Sequence, residues 1–76
     1  MTISESKSYL HGFYARKGMT QAQVATDVLY IDPATLSRYM SGTLAWPADA
    51  IIALTDYFFI PKADVYDVFL VPYKRK

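Results

Sequence analysis

The chain has 76 residues, a 53% hydrophobic fraction, no cysteine and a formal net charge of +1. This length bounds it to one domain, and without a thiol neither a disulfide frame nor a thiolate metal site is available. No apolar run approaches the roughly 20 residues of a membrane span. MTISESKSYL also lacks the basic-then-apolar order of a signal peptide, so a cytoplasmic protein is expected.

Helical punctuation runs from end to end. Thr2 with Glu5 three positions later fits a capping box, and Ile3, Leu10, Phe13 and Tyr14 fall on one stripe at 100° per residue. The first helix is therefore expected over about 3–17, stopped by Gly18, with Met19 packing back. Thr20 with Gln23 repeats the cap and opens a second helix through about residue 28, with Val24, Ala25 and Val28 inward. Ala25 is small enough for another helix to cross closely. After the turn LYI, Asp32 is a good N-cap and Pro33 suits the first helical position, so a third helix spans about 33–41 and Gly42 ends it.

TLAW reads as a loop, and Pro47 begins a fourth helix with Asp49 in its first turn. Ile51, Ile52, Leu54, Phe58 and Phe59 make that helix apolar on most sides, as expected of a buried central helix. Pro61 breaks it. A fifth helix is expected over about 62–69, with Val65, Val68 and Phe69 inward. LVPYKRK then reads as a tail, since Pro72 opposes helix continuation. The expected architecture is all-α, a compact bundle of five short helices.

Chemistry-bearing clusters are sparse. His11 is the sole histidine and has no evident ligand set. Asp64 and Asp67 sit near a helix start, where dipole compensation explains them. Gly12, Gly18 and Gly42 are too scattered for a phosphate loop, and no serine has a paired base. No metal, cofactor or enzymatic activity is expected.

The third helix has an unusual outward side. Leu36, Tyr39 and Met40 fall together toward the core, whereas Ala34, Ser37, Arg38 and Ser41 fall on the opposite arc, with Thr35 at the flank. A solvated face normally carries more charge. One cation amid small side chains suits close approach to another surface.

KGMTQAQVATDV, DPATLSRYMSG, PADAIIALTDYF and DVYDVF, in that order, resemble the lambda-repressor-like (Cro/C1-type) helix-turn-helix family over about residues 9–70. In that likeness Thr20-Gln21 opens the first motif helix, Ala25 sits at the crossing point, and Leu36-Ser37-Arg38 lies at the centre of the recognition helix. Two features depart from the family pattern. The turn Val28-Leu29-Tyr30-Ile31-Asp32 is one residue longer and has no glycine, and the residues between Gly42 and Pro47 are not basic.

The resemblance implies a helix-turn-helix DNA-binding domain over 1–71, a basic tail over 72–76, and a phage or bacterial transcriptional repressor acting on double-stranded operator DNA. Pro33 and Ala34 would lie deepest in the major groove, with Ser37 and Arg38 behind and Thr35 supporting the backbone. Ala34 would meet a thymine methyl, and Arg38 a guanine edge. The other reading of Arg38 is a phosphate contact, or an internal salt bridge with Asp32 or Asp27. Gln21 at its helix N-terminus, with Ser41, Gly42 and Thr43, would hold phosphates. Arg16 and Lys17 either reach the DNA backbone or complement a helix dipole.

Such a module usually works as a two-fold dimer. The interface is expected in the aromatic C-terminal third, at Tyr57, Phe59, Tyr66, Phe69, Leu70, Val71 and Tyr73. A second reading is an antirepressor-type module that binds another repressor protein, motivated by the +1 charge, the sparse third-helix face and seven tyrosines.

Overall fold

Both expected capping boxes are formed, and they fix where the first two helices begin. In the computed structural model, which describes residues 1–73 apart from the side chain of Tyr73, the Thr2 N–H donates to Glu5 Oε1 (2.9 Å) and the Glu5 N–H to Thr2 Oγ1 (3.1 Å). Thr20 and Gln23 repeat the exchange at 2.8 and 3.1 Å. Helix α1 spans Ile3–Arg16. Gly18, at φ +66°, turns the chain out of it, and the Met19 N–H reaches back to the Tyr14 carbonyl.

Helix α2 covers Gln21–Leu29 in two parts, an α-helical turn over Gln21–Gln23 and a π-helical stretch over Val24–Leu29. A π stretch is an α-helix that has absorbed an extra residue. This is how the longer turn is accommodated. The N–H groups of Tyr30 and Ile31 both reach back to the Ala25 carbonyl, and Tyr30 takes the left-handed conformation, φ 55°, that glycine would otherwise supply. Val24 and Ala25 are buried beneath this helix.

Helix α3 is Pro33–Ser41, with Asp32 accepting the Ala34 N–H at 3.0 Å and Gly42 ending it at φ 84°. Helix α4 is Ala48–Phe58, left through Phe59 at φ 55°. Helix α5 starts as Lys62–Val65 and continues as a π stretch over Tyr66–Leu70. A 3-10 turn, Val71–Tyr73, follows. The expectation of a tail from Leu70 onward is corrected here: Pro72 lies inside that turn, where a missing N–H breaks no ladder. Lys74, Arg75 and Lys76 of the expected basic tail lie outside the described residues.

No strand occurs among the described residues, and the architecture is the expected all-α bundle. The radius of gyration, 11.3 Å, agrees with the roughly 11 Å of a fully compacted chain of this length. α1 packs on α3 and on the π stretch of α5, while α2 packs on α3 and α4. Leu10, Tyr14, Val24, Leu36, Leu54, Val68 and Phe69 are the large side chains fully enclosed between them.

Two further bonds from α1 and one from the N-terminus just before it reach the last helix. The buried Ser6 hydroxyl donates to the Val68 carbonyl at 2.7 Å, the Tyr9 hydroxyl to Asp64 Oδ2 at 2.6 Å, and the Met1 amino group pairs with Asp67 at 2.7 Å. Asp64 and Asp67 therefore have specific partners, beyond the dipole role read from sequence. Desolvation, then the Asp64 hydrogen bond and charge, push the Tyr9 phenol up to about 12 against the opposing pull of Arg16. Burial alone raises the Tyr14 phenol, whose hydroxyl lies 3.4 Å from Met40 Sδ.

One sequence expectation is overturned in this region. α4 is not enclosed on most sides, since Ile52 and Phe59 are 59% and 80% exposed. Trp46 lies in the loop expected at TLAW, and its side chain is nevertheless core: its ring lies 5.2 Å from Tyr39 and 5.1 Å edge-on from Phe69. Its indole N–H finds no acceptor among the described residues, so the buried area of the ring outweighs that polar cost.

Candidate functional site

The outward side of α3 is built by its own spacing. Leu36 and Met40 are buried and Tyr39 half-buried, which fixes the helix rotation and leaves Pro33, Ala34, Ser37, Arg38 and Ser41 exposed on the other side. Thr35 is half-buried at the flank, as its position on the wheel requires. The nine residues give a rod of about 13 Å at 1.5 Å per residue.

Arg38 is the cation of this face. It forms no ion pair among the described residues, so the internal salt bridge weighed for it is absent there. Asp32 instead caps Ala34, and Asp27 lies 3.2 Å from the Thr26 hydroxyl. The Arg38 carbonyl is occupied, accepting from the N–H groups of Thr43 and Leu44 and from the Ser41 hydroxyl. Ser41 Oγ and Thr43 Oγ1 sit 3.0 Å apart just past the helix, which clusters two exposed hydroxyls beside the guanidinium's helix. Gln21 is half-buried at the start of α2.

The two basic residues before Gly18 lie across aromatic rings. The Arg16 guanidinium sits 4.7 Å from the centre of Phe13, and Lys17 Nζ lies 4.8 Å from Tyr57 and 5.8 Å from Phe59. Of the residues expected at an interface, Tyr57, Phe59, Tyr66 and Leu70 are exposed and Val71 is half-buried. Phe69 is a correction. At 1% exposure it belongs to the core, against Trp46, as its inward place on the fifth helix required, and it is not available to an interface. For Tyr73 the side chain lies outside what is described.

A groove that sequence reasoning missed lies beside α3. It has a volume of about 530 Å³ and runs between the end of α2, the turn and the start of α4, lined by Val28, Tyr30, Ile31, Tyr39, Asp49 and Ala53 among others. The signal in the sequence was the glycine-free turn itself. Among the described residues no group of acidic or histidine side chains could hold a metal, and no helix is long and apolar enough to cross a membrane. No protein-family model, curated protein or solved structure matches this chain.

Proposed function

We propose that the chain is a sequence-specific DNA-binding transcriptional regulator, of the Cro-like repressor kind, that sets α3 into the major groove of operator DNA. The observation that carries this reading is the free outward side from Pro33 to Arg38 on a well-capped helix. A helix fits the major groove, and small side chains let its backbone come close. Arg38 then pairs bidentately with guanine O6 and N7, Ala34 meets a thymine methyl, and Ser37 lies beside them. Gln21, Ser41 and Thr43 hold phosphates on either side. Tyr57, Phe59, Tyr66 and Leu70 supply the contact between two copies on a two-fold operator, acting in the cytoplasm of a bacterium or phage-infected host.

Fluorescence anisotropy against upstream and random duplexes tests this reading. Specific binding should weaken steeply with salt as counterions are released. Arg38→Ala should cost about 1–3 kcal/mol and relax preference at one base pair. Equal affinity for all duplexes at low salt refutes the reading.

One observation favours a second reading, an antirepressor-type module that binds another repressor. Tyr57 and Phe59 are exposed and share Lys17 across their rings, an aromatic patch of the kind that meets protein partners. Capture of a purified repressor, with no DNA shift by the protein alone, selects it.

A further inference from the structure

We infer that the groove between the end of α2 and the start of α4 is a docking site for a peptide segment of a partner protein, one that presents an apolar side chain next to an arginine or lysine. Three observations on different links of the argument converge on it.

The first is backbone conformation. Tyr30 and Phe59 are the non-glycine residues with positive φ among those described, and they are also 82% and 80% exposed. A left-handed conformation disfavours any residue with a Cβ, and an exposed ring recovers little of that cost by packing. Tyr30 stands at a position where glycine would be the cheaper residue, and it forms the wall of the groove. A ring held there is explained by something that covers it.

The second is shape and polarity. Val28, Ile31 and Ala53 line the groove with apolar side chains, and Tyr39 of α3 lines it as well. The π stretch opens it, since the added residue carries Tyr30 out beyond the end of α2.

The third is charge, and it selects the occupant. Asp49 lines the groove and pairs with no cation among the described residues, although the first turn of α4 offsets part of its charge. The end of α2 also lines the groove, and a helix C-terminus carries partial negative charge. No lysine or arginine lines this groove. With a carboxylate and no cation in its lining, the groove differs from the outward side of α3, which carries Arg38. An arginine or lysine head between Tyr30 and Asp49, with its neighbour's apolar side chain on Val28 and Ile31, satisfies both the charge and the ring.

The test uses the full chain as bait for a display library of random linear peptides, followed by amide-shift mapping with the recovered peptide. Enrichment of an apolar–basic pair, with shifts concentrated at Tyr30, Ile31, Asp49 and Ala53, is the expected result. Asp49→Asn should weaken that peptide about tenfold, as loss of a charged contact does. Tyr30→Gly should weaken it at least as much while leaving the melting temperature equal or higher, which separates lost binding from lost folding. Peptides without a basic residue, shifts confined to another face, no enrichment at all, or unchanged affinity in Asp49→Asn would each overturn the inference.

Discussion

Helices α2 and α3 end in the same left-handed backbone conformation, and they meet that need with opposite residues. α3 ends on Gly42, where an added Cβ would run into the side chain of Ile3. α2 ends on Tyr30, whose side chain stands almost wholly in solvent. At Gly42 two constraints coincide, a positive φ that disfavours any Cβ and the end of the Ile3 side chain lying where that Cβ would go. At Tyr30 only the first applies. There the fold tolerates a strained residue, and the identity of the side chain is left to answer to something other than packing.

The strongest way to break this comparison is Gly42→Ala. Left-handed strain and the collision with Ile3 together should cost about 2–4 kcal/mol. At roughly 4–8 °C per kcal/mol for a domain of this size, thermal unfolding followed by circular dichroism should show a large drop. An unchanged melting curve would refute both the backbone strain and the contact with Ile3. Adding Ile3→Ala to that variant should return about 1–2 kcal/mol of the loss, measured as a coupling in a double-mutant cycle. A coupling near zero would place the whole cost in the backbone.

The opposite sign is expected at the other end. Tyr30→Gly should stabilise the chain by about 0.5–1 kcal/mol in denaturant unfolding, because strain is relieved and little packing is lost. A clear loss of stability would show that the ring carries structural weight. Phe59→Gly should gain less, at most about 0.5 kcal/mol, since Lys17 lies over that ring as well as over Tyr57.

Much of the fold was legible because caps are local chemistry. Thr2, Thr20 and Asp32 fix three helix starts through bonds within three residues, and a proline or glycine sits at several boundaries. The rotation of α3 was equally legible, since Leu36 and Met40 leave it one way to face the core. What escaped the sequence depends on distant partners. Trp46 is the loop residue its sequence suggests, but that Tyr39 and Phe69 bury its ring is not visible locally. Phe69 reads from sequence both as an inward residue of the fifth helix and as an interface aromatic, and its contact with Trp46 decides for the core. Ile52 reads as core, and nothing packs over it enough to enclose it. The groove at Tyr30 belongs to the same group: an extra residue in a turn can be absorbed as a loop, a bulge or a π stretch, and local spacing does not choose between them.

The Ser6–Val68 bond joins residues 62 positions apart, and Tyr9–Asp64 joins residues 55 apart. Closing loops that large is entropically unfavourable until the intervening helices are already assembled. Native-state amide exchange should therefore find the amides of α1 and of the last helix opening as one cooperative unit, with neither fraying ahead of the other.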